Sequence, residues 1–167
     1  MGSNSIPPMP RQPVATFADS LAWGEDGERE VAALLLRRGV VVVPMYHLEP
    51  STAPVAMLGD SRLVLPDLIC WGPKGPFFAE VKRKRQWVAW KGRRETGCDT
   101  RHYRQYLALA RATSTPAWMF FPHEHQEPTG IYCAEATALE AVERRWDGRS
   151  PAGARSARHC PSSRPAR

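Results

Sequence analysis

Two short stretches hold the side chains most capable of chemistry: Pro66-Asp67, and Glu80-Val81-Lys82, which begins 13 positions after the aspartate. In an extended strand, residues i and i+2 face the same side. Glu80 and Lys82 are therefore expected to project together, with Asp67 on the neighbouring strand. Two carboxylates and the Val81 carbonyl are hard oxygen donors of the kind that suits Mg2+, or Mn2+ in its place, with water and a substrate phosphate completing the shell. An ammonium beside such an ion can orient attacking water or stabilise charge on the attacked phosphate. The chemistry such a set could do is metal-assisted attack of water on a phosphate. The rival reading makes Glu80 and Lys82 a solvated surface pair of little energetic worth and Asp67 the cap of a turn after Pro66. Against it, Phe77, Phe78 and Ala79 are apolar on both faces of the strand, which puts the charges at its end on the border of the core.

The charge balance points to a polyanion. The chain has 23 Lys and Arg against 17 Asp and Glu, a formal charge of +6. Lys82, Arg83, Lys84, Arg85, Lys91, Arg93 and Arg94 fall within thirteen positions that contain no acid. Trp87 and Trp90 are interleaved with them, so cations could neutralise phosphates while indoles stack on unpaired or distorted bases. The alternative for the two tryptophans, three positions apart, is a shared helical face anchored in the core. After Asp147 the chain adds Arg149, Arg155, Arg158, Arg164 and Arg167 without an acid, a source of non-specific affinity.

The elements that must position these groups follow from periodicity. Asp19 or Ser20 to Gly39 reads as a helix whose face carries Leu21, Gly24, Glu28, Val31, Ala32 and Leu35. Val40 to Tyr46 reads as a buried strand and residues 47–61 as a loop. Arg62 to Trp71, interrupted at Pro66, pairs with Pro76 to Lys82 through a Gly-Pro-Lys-Gly turn at 72–75. A helix over Thr100–Thr113, strands at Ala117–Phe121 and Ile131–Cys133, and a capping box of Thr137 and Glu140 opening a helix to about Trp146 complete the order. This predicts an α/β sandwich around a mixed sheet. One domain at 17–147 is expected, between Pro/Ser-rich residues 1–16 and a basic 148–167 tail that bury too little apolar surface to order themselves.

Pro66-Asp67 and Glu80-Val81-Lys82 together resemble the signature of the PD-(D/E)xK nuclease superfamily. The helix Gly24-Glu25-Asp26-Gly27-Glu28-Arg29-Glu30 is similar to the GxxxE-R helix of archaeal-type Holliday junction resolvases and related phage enzymes. There the corresponding Glu contributes to the metal site, which nominates Glu28, with Glu25 and Glu30 as the alternative assignments on that helix. His102-Tyr103-Arg104-Gln105-Tyr106 resembles a downstream helix whose Gln faces the site, which nominates Gln105. The resemblance spans about residues 20–122. It implies a restriction-endonuclease-like fold, a mixed sheet flanked by helices in the order αβββαβ, and a Mg2+-dependent endodeoxyribonuclease that leaves 5′-phosphate and 3′-hydroxyl ends. It also implies a branched DNA partner and a homodimer, since a two-fold symmetric junction needs two cuts.

Other classes fare less well. The composition, 43% hydrophobic and 24% charged, excludes full-length disorder. The apolar stretch Val31–Leu36 is far below the ~20 residues of a bilayer span, so no membrane partner is expected. Four cysteines, at 70, 98, 133 and 160, form no CxxC pair, which favours reduced thiols in a cytoplasmic setting. Cys98, His102, His123, His125 and Cys133 are candidate zinc ligands without an anchoring CxxC or HxxxH pair. Two further rivals stay open: another nuclease of the same superfamily, acting as an exonuclease or nicking enzyme, and a catalytically silent DNA-binding protein.

Overall fold

The computed structural model of the 167-residue chain describes residues 17–45, 55–90, 92–140 and 158–159. Helix α1 (Phe17–Arg37) starts two residues before Asp19, so neither expected cap residue precedes it. It stops at Gly39, whose φ of +73° is open to glycine at no steric cost, while the Arg38 and Gly39 N–H groups reach back to the Leu35 and Leu36 carbonyls. Strand β1 (Val41–Pro44) follows. A hairpin of β2 (Val55–Leu58) and β3 (Ser61–Val64) forms where a loop was expected. Next come β4 (Leu68–Gly72) and β5 (Gly75–Val81), joined by the 72–75 turn. A second small hairpin, β6 (Val88–Trp90) and β7 (Arg93–Glu95), leads to α2 (Thr100–Thr113). The chain continues through β8 (Ala117–His123), β9 (Gly130–Glu135), α3 (Ala136–Glu140) and β10 (Arg158–His159).

Six strands form one sheet in the order β1-β4-β5-β8-β9-β10, with β5 and β8 parallel and the other pairs antiparallel. The parallel pair requires a crossover, which α2 supplies. Strand alternation then divides the core. Ala79 and Val81 face α1 through Val31 and Leu35, while Phe78, Met119 and Phe121 face α2 through Tyr103, Tyr106 and Leu107. The protein is a mixed α/β fold with helices on both faces of a mixed sheet, as expected.

Several local expectations need correction. Strand β1 is an edge, and Val41 and Val43 stand 59% and 38% exposed rather than buried. Thr137 lies inside α3 and donates to the Glu135 carboxylate, while Glu140 pairs with Arg111, so no capping box forms. The remainder of that expected helix, the 1–16 segment and nearly all of the arginine tail fall outside the described residues. Cys70, Cys98 and Cys133 form no disulfide. Among the described residues, no helix is long and apolar enough to cross a membrane.

Candidate active site

The β4–β5 register places the chemistry. Leu68 pairs with Ala79, so one step further along the ladder Asp67 and Glu80 emerge beside each other, on the face covered by α2. The buried strand β5 then brings Glu80 to 2% exposure at its end. Lys82 extends the same row: its N–H donates to the Phe120 carbonyl at 2.8 Å, and its ammonium is ion-paired with Glu80 Oε1. Asp67 Oδ2 accepts from the Val81 N–H at 2.7 Å. Because a strand residue's N–H and C=O leave on the same edge, the Val81 carbonyl also faces the Asp67 side.

Glu28 arrives from the opposite face, on α1 three residues before buried Val31. It is near enough for Glu80 and Lys82 to act on its charge, and burial followed by Glu80 and Glu25 lifts its pKa to about 7. The two alternative acids, Glu25 and Glu30, are otherwise engaged. Glu25 pairs with Arg29 at 3.2 Å, and Glu30 lies against Glu124. Asp67 is held well above the usual carboxylate range, first by burial and then by Glu80 and Glu28. Burial pulls the Lys82 ammonium down, but Glu80 and Asp67 more than reverse this, so its pKa is raised and it stays charged.

Helix α2 also reaches the site, through a residue the sequence pattern did not nominate. The Tyr106 hydroxyl donates to Glu80 Oε1 at 2.7 Å, and the ring is 2% exposed. Gln105, the residue expected there, instead accepts from the Val64 N–H at 2.8 Å and fixes the β2–β3 hairpin against α2. A signal for Tyr106 was available: a tyrosine on the apolar face of a helix must find a partner for its hydroxyl.

Three carboxyls and one ammonium leave this pocket short of positive charge. Glu28 Oε2 and Glu80 Oε2 are buried with no hydrogen-bond partner. A divalent cation is the group that hard, unpartnered, mutually repelling oxygens would accept, so the donor chemistry fits Mg2+ or Mn2+. The arrangement is not yet a finished cage. Among the described residues no three His, Cys, Asp or Glu side chains stand together as a ligating set; the Lys82 ammonium is paired with Glu80 Oε1, and the Val81 N–H donates to Asp67 Oδ2. The same statement covers the candidate zinc ligands. His123 in particular is buried, stacked on Trp87 with ring centroids 3.7 Å apart, and bonded through Nε2 to Thr96.

The basic segment separates into groups with different duties. Arg83, expected as a DNA contact, is committed internally. It forms a two-toothed pair with Glu124, donates to the Trp23 carbonyl at 2.8 Å and lies over the Trp23 ring. Arg85 also lies over that ring but is exposed. Arg94 donates to the Glu127 carbonyl. Lys84 continues the row of Glu80 and Lys82, and its pKa is lowered by burial; among the described residues no carboxylate pairs with it. Arg93 is exposed on β7. Trp87 is partly buried, with its indole N–H directed to the Gln126 and Pro128 carbonyls. The helical alternative for Trp87 and Trp90 fails because 88–90 is a strand; Lys91 and the Trp90 side chain lie outside the described residues.

No family model matches the sequence, and no curated protein does so either. Among solved structures, the chain is similar to Hjc of Archaeoglobus fulgidus, described as a Holliday junction resolvase from an archaeal hyperthermophile. The alignment covers 70% of this chain and 80% of that one, at 17% identity and a TM-score of 0.49.

Proposed function

We propose that this chain is a metal-dependent DNA endonuclease, hydrolysing phosphodiester bonds and selective for branched DNA in the manner of a Holliday junction resolvase. The observation that carries the reading is the meeting of Asp67, Glu80 and Lys82 at one end of the β4–β5 pair, with buried carboxylate oxygens left unpartnered. Asp67, Glu80 and the Val81 carbonyl would hold Mg2+ or Mn2+, and Glu28 would hold the ion or a water beside it. A bound divalent ion supplies Lewis-acid charge next to the attacked phosphate. Lys82, kept protonated by its two acids, orients the attacking water and stabilises the charge that grows on the phosphate oxygens. Lys84, in the same row, offers a second ammonium to an adjacent phosphate. Arg85, Trp87, Arg93 and the hairpin that carries Trp90, Lys91 and Arg94 would line the path of the DNA, and a homodimer would present two such sites to a symmetric junction.

One observation favours a second reading. Lys82 already sits on Glu80, the arrangement a catalytically silent DNA-binding protein would keep. The two are separated by incubating wild type, Asp67→Ala and Lys82→Ala with four-way junction, flap, single-stranded and linear duplex DNA, with and without Mg2+. The endonuclease reading expects junction cleavage by wild type only with Mg2+, lowered at least about 100-fold in both variants, the scale on which one positioned catalytic group acts. Binding without cutting by wild type supports the silent protein. Equal cutting by wild type and Asp67→Ala removes the mechanism.

A further inference from the structure

Glu80 has one oxygen doubly engaged and the other not engaged at all. Oε1 accepts from the Tyr106 hydroxyl at 2.7 Å and from the Lys82 ammonium, whereas Oε2 is buried without a partner. A carboxylate on a flexible side chain can turn about its last torsion over a broad range, and since its two oxygens are equivalent, what this changes is the tilt of its plane. Lys82 alone would not fix that tilt, since its long side chain can follow the carboxylate as it turns. The phenol is different. Tyr106 is buried on α2 among Tyr103, Leu107, Met119 and Phe121, so its hydroxyl occupies a fixed point. Only a carboxylate plane that keeps one oxygen at that point satisfies it, and leaving it unsatisfied in the core carries the desolvation penalty of a buried donor.

We infer that Tyr106 is a positioning residue that fixes the rotation of the Glu80 carboxylate and thereby presents Oε2 to a divalent cation. This rests on the metal-dependent reading of the site and adds to it a residue outside the Asp67, Glu80, Lys82 set. The phenol need not touch substrate or ion. It acts through Glu80, as hydrogen-bonding partners behind metal ligands do elsewhere, with effects on metal affinity of about 10- to 100-fold when removed.

The test is Mn2+ binding to the purified full chain, followed by the disappearance of the free-ion paramagnetic resonance signal, without DNA. Wild type, Asp67→Ala and Tyr106→Phe are compared. Tyr106→Phe is expected to bind Mn2+ about 10-fold more weakly than wild type, and to cleave junctions at a near-normal rate once Mn2+ is raised in compensation. A merely structural role would lower the rate at every Mn2+ concentration and leave the binding midpoint unmoved. A second readout uses the native protein: Mn2+ should perturb the tyrosine ultraviolet spectrum of wild type, because the oxygen bonded to the phenol belongs to the ligand, and should leave that of Tyr106→Phe unchanged. This readout stands even if the variant folds poorly. Unchanged Mn2+ affinity in folded Tyr106→Phe, or no tyrosine perturbation in wild type, overturns the inference while the metal site survives. Failure of wild type to bind Mn2+, or equal binding by Asp67→Ala, overturns both.

Discussion

The Glu28 carboxyl reaches the other acids only because α1 is pressed against the start of the basic segment, and one glycine decides how closely. A Cβ at Gly27 would lie 2.9 Å from Arg83 Cβ, a separation that real Cβ atoms do not tolerate, and Arg83 is in turn held by Glu124 and the Trp23 carbonyl. Gly24, one turn earlier, has nothing within 4 Å of its own would-be Cβ. The two glycines should therefore respond oppositely to alanine. Gly24→Ala is expected to raise stability by about 0.5–1 kcal/mol through helix propensity alone. Gly27→Ala gains the same propensity but must displace a partly buried, doubly paired arginine stem, and overpacking of this kind costs about 1–3 kcal/mol, for a net loss. Urea unfolding of the two variants measures both signs, and equal stabilisation by both would mean that α1 does not dock against Arg83. The GxxxE spacing drew attention to Gly24, while the close approach belongs to Gly27, because a linear motif does not carry the neighbour across the sheet.

The β6–β7 hairpin is held at its root by a cluster of aromatic and polar contacts, and along β7 by Arg94 on the Glu127 carbonyl. Trp87 stacks on His123 and meets Tyr132 edge-on, the Trp87 N–H donates to the Gln126 side chain, and His123 Nε2 bonds Thr96, which follows β7 at the same open end. Burial, and then the Lys84 charge, lower the His123 pKa below the 6.5 of an ordinary imidazole. Lys84 is the charged group that faces the ring; Trp87, Tyr132 and Thr96 around it carry no charge at neutral pH. Below that value the unfolded chain binds a proton more readily than the folded one. The stabilisation from the neutral ring is thus complete above about pH 6.5 and is lost as pH falls through the folded-state pKa. Denaturant unfolding at about pH 7.5 and about pH 5.5 should show wild type losing more stability than His123→Phe, which keeps an aromatic face for Trp87 and has no proton to gain. Equal losses would remove His123 as the cause. The large elements here were legible in the sequence. Helix α2 runs over the residues its periodicity indicates, and the 72–75 glycine turn closes β4 on β5, since both signals are local. The two small hairpins were not. Residues 55–64 are anchored by the Val64 N–H donating to Gln105, and 88–95 adjoin Trp87, which stacks on His123 of β8; neither contact has a periodic trace.

At the scale of the whole molecule, a charge of +6 and a thirteen-residue basic run invite the expectation that each cation contributes to nucleic-acid affinity, and the fold divides them. Arg83 is consumed in holding α1, and Arg94 is tied to a backbone carbonyl. Lys84, with no acid partner among the described residues, and exposed Arg85 and Arg93 are the cations that the proposed DNA contact would use. Each phosphate neutralised releases counterions, and log Kd rises against log salt with a slope near 0.9 per contact on duplex DNA. Replacing Lys84, Arg85 and Arg93 together by alanine should therefore flatten that slope by about 2 to 3, as measured by fluorescence anisotropy on a junction without divalent metal, so that binding is separated from cleavage. Affinity should fall alike on junction and duplex, since phosphate contacts carry register and not structure. A slope that does not change would place the DNA on another face, away from the row of Glu80, Lys82 and Lys84. The active-site reading would then lose its route to substrate even with its acids in place.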